Sequence, residues 1–289
     1  MSYFTIAGVQ MNALHHGDNT EAMRHRIDVL MSRFPQVQMV LFSELMPMGA
    51  STHHAQSMPS STEALFCQMA EQHRIWLIPG SMFEHTDNGI FNTLSVINPH
   101  GQIVARYRKM FPFRPYEAGV EGGSEFVTFD VPNVARFGVS ICYDMWFPET
   151  TRTLAAMGAE VILHPTMTDT IDRDIELSIA RTNAAVNQCY FFDINGAGAI
   201  GNGRSIVVGP SGDVIHQAGT GEEVMPIEVD LNRVRRERET GLRGLGQPLK
   251  SFRDRTVDFS LYRSEGGSSP FLDTLGPLAK PLRADVEEY

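Results

Sequence analysis

The chain has 289 residues, of which 42% are hydrophobic and 20% are charged, a composition typical of globular proteins. Its formal net charge of −10 at pH 7 disfavours nucleic acids and anionic membranes as partners, because both require positive charge to offset phosphate. Solubility is a simpler reason for this charge. We therefore expect no nucleic-acid partner and no membrane partner.

The start of the sequence and its cysteines indicate the compartment. A strand-like pattern begins at Phe4, and no basic region, long apolar stretch or cleavage site precedes it. The three cysteines, Cys67, Cys142 and Cys189, are an odd number without the spacing of a metal site. This usage fits a reducing compartment, in which a free thiol survives. We expect a cytoplasmic protein with no metal and no cofactor.

The first half of the chain alternates strands with helices and continues as a run of strands. Apolar spacing predicts a helix over 20–34, and the capping-box spacing of Ser60 and Glu63 predicts the start of another. Asn88 and Gly89 predict a hairpin turn. Strands are predicted at 4–11, 37–42, 75–78, 91–97, 102–107, 126–131 and 136–141. This order indicates an α/β fold with a mixed sheet.

The second half repeats the alternation of helices and strands. Helices are predicted at 149–158, 172–187 and 231–239, and the second of them would face inward with Ile175, Ile179 and Val186. The interleaved arginines and glutamates of 231–239 favour a solvated or interface helix over a nucleic-acid site. Strands are predicted at 160–163, 190–194, 205–208, 214–216 and 225–229.

After Thr240 the sequence has fewer of the patterns that predict helices and strands. Glycines occur through 241–246, and the segment 264–270 has the composition of a linker. Apolar residues nevertheless follow it, namely Phe271, Leu272, Leu275 and Leu278. We predict a main domain over 1–240 and a C-terminal arm over 241–289 that packs on its own body or on a neighbouring subunit.

Three strand-like segments each end in a reactive side chain. Glu44 follows the run 37–42, Lys109 follows the run 102–107, and Cys142 follows the run 136–141. Each residue alone is weak support for a site, because cysteines are commonly buried and glutamates commonly solvated. Sheets of α/β proteins place ligand sites at the carboxyl ends of strands, so the three groups are expected to meet.

These residues carry a resemblance to a known family. The sequence resembles the amidase-like branch of the nitrilase superfamily of carbon-nitrogen hydrolases over most of its length, from about Phe4 to about Asp230. Glu44, Lys109 and Cys142 match the family's Glu-Lys-Cys triad. The resemblance implies an αββα four-layer sandwich, in which two sheets pack face to face between helices, and a homodimer or higher homo-oligomer.

A second glutamate strengthens the resemblance. Glu117 matches the glutamate that follows the lysine in amidases, whereas the triplet Phe-Ser-Glu that ends at Glu44 often reads Phe-Pro-Glu in the family. The resemblance implies hydrolysis of a non-peptide C–N bond through a thioester on Cys142, with Glu44 transferring protons. Lys109 and the Tyr143 backbone N–H would bind the oxyanion, and Glu117 would orient Lys109.

The residues around this constellation suggest a substrate class. Family members that bind a substrate carboxylate often carry an arginine shortly after the cysteine, and here Met145 and Trp146 stand there. We therefore predict a small to medium neutral amide, cleaved to a carboxylic acid and ammonia. A ureido compound of the N-carbamoylputrescine type is the second candidate, and a nitrile is the third. Predicted pocket residues are Tyr143, Trp146, Tyr116, His164 and Thr166, with Phe113, Phe147 and Met167 as further candidates.

Two other functions stay open at this point. In a protease-like cysteine-histidine dyad, His164 would be the base for Cys142, although that site would explain neither Glu44 nor Lys109. The chain could also be a binding protein on a hydrolase fold, because fold does not fix function. The presence of all four residues of the site argues against this second alternative.

Overall fold

The computed structural model describes residues 3–262, 269 and 271–279. Its strands form two mixed sheets, of eight and six strands. The first sheet contains β1 (Tyr3–Gln10), β2 (Met39–Phe42), β3 (Trp76–Ile78), β4 (Ser81–Thr86), β5 (Gly89–Ile97), β6 (Ile103–Arg108), β7 (Val120–Glu121) and β14 (Glu223–Asp230). The second contains β8 (Val127–Val131), β9 (Ala135–Val139), β10 (Val161–Thr166), β11 (Tyr190–Asn195), β12 (Ile206–Val208) and β13 (Val214–Gln217).

Each sheet has a parallel centre. In the first, β1, β2 and β3 run parallel in the order β14-β1-β2-β3-β5-β4, and β6 and β7 also pair with β5. In the second, β9, β10 and β11 run parallel in the order β13-β12-β11-β10-β9-β8. The helices of the fold are α1 (Thr20–Arg33), α2 (Ser61–His73), α3 (Pro148–Ala156), α4 (Arg173–Asn187), α5 (Leu231–Thr240) and α6 (Pro248–Arg253).

The hydrophobic residues fall into layers that define the architecture. A central core holds side chains from both sheets, such as Leu41 and Leu163. A second core joins α1 and α2 to the outer face of the first sheet, and a third joins α3 and α4 to the outer face of the second. The predicted four-layer αββα sandwich is confirmed.

Most predicted elements are present, with informative exceptions. The capping box forms, because Ser60 Oγ accepts from the Glu63 N–H and the Glu63 carboxylate accepts from the Ser60 N–H, both at 3.1 Å. The prediction that Ile175 faces inward is wrong, since 50% of it is exposed. The buried face of α4 includes polar side chains such as Asn183 and Asn187, so apolar spacing gave the wrong orientation.

The arginines of α5 bind neighbouring acidic side chains. Arg235 lies 3.1 Å from Glu160, and Arg236 lies 3.0 Å from Asp230. These arginines are largely exposed, which agrees with a solvated helix, and a role of the helix in an interface stays a prediction. Within the described ranges, no helix is long and apolar enough to cross a bilayer.

The start of the predicted C-terminal arm packs against the second helical layer. The Arg152 guanidinium of α3 lies 5.2 Å from the ring centroid of Phe252, and the Tyr262 hydroxyl donates to Glu149. Of the predicted linker 264–270, only Ser269 is among the described residues. The apolar residues after it are exposed, namely Phe271, Leu272, Leu275 and Leu278.

Candidate active site

The ends of three strands bring Glu44, Lys109 and Cys142 together. Glu44 follows β2, Lys109 follows β6 directly, and Cys142 follows β9. All three are buried, with exposed fractions of 2%, 1% and 8% respectively. The first two come from one sheet and Cys142 from the other, so the site lies where the facing sheets end.

Lys109 is held between two carboxylates. Its Nζ lies 2.9 Å from Glu44 Oε1 and 2.6 Å from Glu117 Oε2. Asn92 of β5 joins the same carboxylates, because its Nδ2 donates to Glu44 at 2.8 Å and to Glu117 at 3.3 Å. The Phe113 backbone N–H also donates to Glu117. Charge-assisted contacts on every member fix the geometry of this group.

Cys142 has an unusual backbone conformation. Its φ of +46° lies in the left-handed region, which non-glycine residues adopt at a cost of about 1–3 kcal/mol. It is also the first residue of the 3₁₀ turn Cys142–Trp146, so strand β9 is followed at once by a tight turn. Glu44 and the Met167 backbone N–H both act on the thiol, since Glu44 raises its pKa and the N–H lowers it. A strained backbone at the turn after a strand is typical of a catalytic nucleophile on an α/β sheet.

Burial and mutual charge set the protonation of the group. Burial raises the pKa of the Cys142 thiol well above its usual range, the Glu44 carboxylate adds to this, and Lys109 opposes it. Burial also raises the pKa of Glu44, against the opposing effect of Lys109. For Lys109, burial favours the neutral amine, but Glu44 and Glu117 outweigh it and raise the pKa well above the ordinary value. At neutral pH the site therefore holds a protonated thiol and a charged lysine, beside a Glu44 side chain that binds a proton more strongly than usual.

These groups open onto a cavity of about 660 Å³. Glu44, Lys109, Glu117 and Cys142 all line it. The predicted pocket residues Tyr143, Trp146 and Tyr116 line it too, together with Phe113 and Met167. A cavity of this size, lined by aromatic side chains together with polar and acidic ones, can hold a small molecule.

His164 and Thr166 are not among the residues that line the cavity. Both are completely buried, because β10 continues through Thr166 and does not end at residue 163. The twofold period of a strand puts them on the face of Ile162, which packs against the α3 and α4 layer. We correct the prediction that they contact the substrate. Phe147 likewise does not line the cavity and stacks on Phe111 with 3.7 Å between ring centroids.

The environment of His164 also counts against a cysteine-histidine dyad. Its Nδ1 lies 2.7 Å from Ser140 Oγ. Burial, assisted by the positive charge of Arg173, lowers the pKa of His164 to about 3. Such a weak base is poorly suited to take the proton of Cys142.

Several residues near the site escaped the sequence analysis. Asn92 donates to Glu44 and Glu117, Asp144 accepts from the Ile141 N–H just before Cys142, and Glu176 lines the cavity. The available signal for Asn92 was a polar residue inside an apolar strand, which requires a buried hydrogen-bond partner. No group of three or more His, Cys, Asp or Glu side chains among the described residues could hold a metal ion.

Known proteins share both the sequence pattern and the fold. Residues 5–239 match the family model described as carbon-nitrogen hydrolase. The chain belongs to the carbon-nitrogen hydrolase family. The predicted membership of the nitrilase superfamily, in its amidase-like branch, is thereby confirmed, and the chain is a hydrolase of C–N bonds.

Individual relatives support amide chemistry in general. The omega-amidase NIT2 of Homo sapiens is 29% identical over 205 residues, which cover 65% of this chain and 74% of that protein. The N-carbamoylputrescine amidase of Solanum tuberosum is 30% identical over 226 residues, covering 67% and 70%. The crystal structure of Saccharomyces cerevisiae Nit3, a member of branch 10 of the nitrilase superfamily, superposes with a TM-score of 0.75 at 26% identity, covering 82% and 94%.

Proposed function

We propose that this protein hydrolyses a small to medium neutral amide to a carboxylic acid and ammonia, with Cys142 as the nucleophile. The observation that carries the proposal is that buried Glu44, Lys109 and Cys142, together with partly buried Glu117, line one cavity. An amide carbon is a poor electrophile, so hydrolysis needs a strong nucleophile, an oxyanion site and a proton for the leaving amine. The group supplies each of these.

In the first half of the reaction, Cys142 Sγ attacks the carbonyl carbon while its proton passes to Glu44. Glu44 lines the same cavity as the thiol, and burial, which raises the pKa of Glu44, makes it a stronger base. Lys109 Nζ and the Tyr143 backbone N–H stabilise the negative charge that develops on the carbonyl oxygen. The C–N bond then breaks, Glu44 returns the proton to the departing nitrogen, and a thioester remains on Cys142.

In the second half, water attacks the thioester. Glu44 takes a proton from the water, the C–S bond breaks, and the acid leaves as Cys142 regains its proton. Glu117 does not exchange protons in this scheme. It holds Lys109 at 2.6 Å, and Lys109 in turn lowers the pKa of this carboxyl against the effect of burial.

The charge of the cavity favours a substrate without a carboxylate. Among its described lining residues Lys109 is the only lysine or arginine, and its ammonium is bound by two glutamates. Trp146 lines the cavity where related enzymes with acidic substrates often carry an arginine. A substrate carboxylate would therefore be desolvated without a free counter-charge.

A second candidate substrate is a carbamoylated amine that keeps a positively charged end. Asp169, Asp172 and Glu176 line the cavity in addition to the proposed catalytic glutamates, which makes its wall acidic. An acidic wall attracts an ammonium group. The similarity to an N-carbamoylputrescine amidase supports the same candidate. A nitrile ranks third.

Ammonia release tests this proposal. The purified protein would be incubated with neutral aliphatic and aromatic amides, amides bearing a carboxylate, carbamoylated amines and nitriles. We expect the highest kcat/KM for neutral amides, and none of this activity in Cys142→Ala. Cys67→Ala, which removes a half-buried cysteine elsewhere, is the matched control. Substantial turnover by Cys142→Ala would contradict the mechanism, and a preference for carboxylate-bearing amides would contradict the substrate class.

We also propose that the protein works in the cytoplasm as a homodimer or higher homo-oligomer, with no nucleic-acid or membrane partner. Its three free cysteines and its net charge of −10 support the compartment and the absence of polyanionic partners. The exposed apolar residues of the arm support self-association. Light scattering of the purified chain would measure the oligomeric state, and a monomer at micromolar concentration would contradict it.

A further inference from the structure

Asp144 is a buried carboxylate that the proposed reaction does not use. It is completely buried in the turn after Cys142 and does not line the cavity. Its Oδ2 accepts from the Ile141 backbone N–H at 2.8 Å, and the Asp144 N–H donates to the Ile141 carbonyl at 3.0 Å. This reciprocal pair closes the turn around Cys142, whose left-handed backbone needs such support.

The same carboxylate reaches across to the other sheet. The Tyr107 hydroxyl donates to Asp144 Oδ2 at 2.6 Å, and the Phe111 backbone N–H donates to Asp144 Oδ1 at 2.9 Å. The Tyr107 hydroxyl also accepts from the Met110 N–H at 3.3 Å. Residues 107, 110 and 111 flank Lys109 on both sides. One side chain therefore binds the segment that carries the lysine to the turn that carries the cysteine.

We propose that Asp144 and Tyr107 are positioning residues that hold Lys109 and Cys142 in catalytic register across the two sheets. The core between the facing sheets consists mainly of apolar side chains, whose contacts are non-directional. Other hydrogen bonds that cross between the sheets, such as that of Tyr190 to the Asp230 carbonyl, do not join the Lys109 segment to the Cys142 turn. Directional hydrogen bonds to a buried carboxylate fix the relative position of two segments far more tightly. The inference rests on the proposed function, because it assigns a role in the same reaction.

Tyr107→Phe is the cleanest test, because it removes one hydroxyl and changes no charge. The matched control is Tyr190→Phe, since Tyr190 is also buried and donates to the Asp230 carbonyl at 3.1 Å, at the opposite end of its strand from the site. We expect Tyr107→Phe to lower kcat about tenfold, the effect of losing one hydrogen bond to a charged group, with KM within about twofold. Tyr190→Phe should keep the kcat of the unmodified protein.

A second measurement needs no substrate. The rate of Cys142 alkylation by iodoacetamide would be followed from pH 7 to pH 10, with the modified peptide quantified by mass spectrometry. Because only the thiolate reacts and Lys109 stabilises it, loosening the lysine should displace the profile of Tyr107→Phe to higher pH by about half a unit. A merely structural tyrosine would lower the melting temperature without moving this profile, as we expect for Tyr190→Phe.

Asp144→Asn extends the test to the carboxylate itself. An asparagine has one acceptor oxygen and cannot serve all three donors, so its kcat should fall at least as far as that of Tyr107→Phe. The proposal is overturned if Tyr107→Phe matches Tyr190→Phe in both kcat and alkylation profile. If the unmodified protein hydrolyses no amide, the proposed function fails, and the alkylation profile still decides whether Asp144 and Tyr107 position the lysine.

Discussion

Two clusters in this molecule have the same arrangement of charges but different surroundings. Each consists of one cation between two carboxylates. In the first, Lys109 lies between Glu44 and Glu117. In the second, Arg173 lies 3.1 Å from Glu176 and 2.8 Å from Asp193. Their charges alone would not tell them apart.

The difference lies in what else each cation can contact. All three members of the lysine cluster line the cavity beside Cys142, whereas only Glu176 of the arginine cluster does so. An ammonium has three N–H donors, and the two glutamates account for two of them. Arg173 instead spreads its planar group over both carboxylates and the Arg204 carbonyl, at 2.9 Å from the latter. The first cluster is arranged to meet a substrate, and the second is arranged to hold α4 on its sheet.

Substitution of Lys109 is expected to have the largest effect among the tests of this difference between the two clusters. Lys109→Arg keeps the charge but replaces a compact donor with a planar one, so the oxyanion should lose its partner. We expect kcat to fall by about 10²–10³, equal to about 3–4 kcal/mol of transition-state stabilisation. Steady-state kinetics and urea unfolding would be measured together. Lys250→Arg, in α6, is the control, and activity within tenfold of the unmodified protein would contradict the role of Lys109.

Substitution of Arg173, the cation of the second cluster, should affect stability more than activity. Arg173→Lys keeps the charge but loses hydrogen bonds of the buried guanidinium, so the free energy of unfolding should fall by about 2 kcal/mol. At temperatures where the variant is folded, its kcat should stay within about threefold of that of the unmodified protein, because Arg173 does not line the cavity. Urea unfolding and kinetics provide both numbers. Arg235→Lys, in a more exposed pair, is the control.

If instead Arg173→Lys lost activity and kept its stability, the comparison would reverse, and the arginine cluster would belong to the reaction. The unfolding data for Lys109→Arg would then show whether the lysine cluster stabilises the fold in place of the arginine cluster, or whether both clusters contribute to the reaction.

The sequence predicted one cluster and missed the other for a physical reason. Glu44 follows an apolar run and Lys109 follows an alternating one, so the strand pattern itself indicates where they lie, whereas Glu117 was indicated by the family resemblance. Arg173 begins a helix and Asp193 lies within a strand, and no local pattern relates them. Their meeting depends on how α4 packs on β11, which is a tertiary contact.

Tertiary packing also explains two wrong predictions. Apolar side chains usually face the core, which predicts that Ile175 lies inward, but the buried face of α4 carries Arg173 and Glu176. The apolar run before His164 predicts that the strand ends at residue 163, and this predicted end places His164 in the pocket. The strand continues for three more residues, so the side chain faces the helical layer. Strand ends are the boundaries that a sequence defines least well.

The cations of both clusters affect the pKa of His164, and its substitution is expected to have the smallest effect of the three. Burial lowers its pKa to about 3, and the positive charges of Arg173 and Lys109 contribute in the same direction. The folded protein therefore keeps His164 neutral, whereas the unfolded chain binds a proton near pH 6.5. Because the unfolded state binds more protons below that pH, the stability due to neutral His164 is complete above pH 6.5 and is lost as the pH falls towards 3.

His164→Gln removes this contribution and keeps a group that can hydrogen-bond Ser140. Between pH 6 and pH 5, the free energy of unfolding of the unmodified protein should fall by about 1 kcal/mol more than that of the variant. Urea unfolding at both pH values measures the difference, and His100→Gln, at an exposed turn, is the control. An equal pH dependence in both proteins would mean that His164 takes up a proton as readily in the folded state as in the unfolded one, and would contradict the lowered pKa. Retained kcat in His164→Gln would remove the cysteine-histidine alternative, because a dyad could not function without its base, whereas the lysine cluster would be left intact.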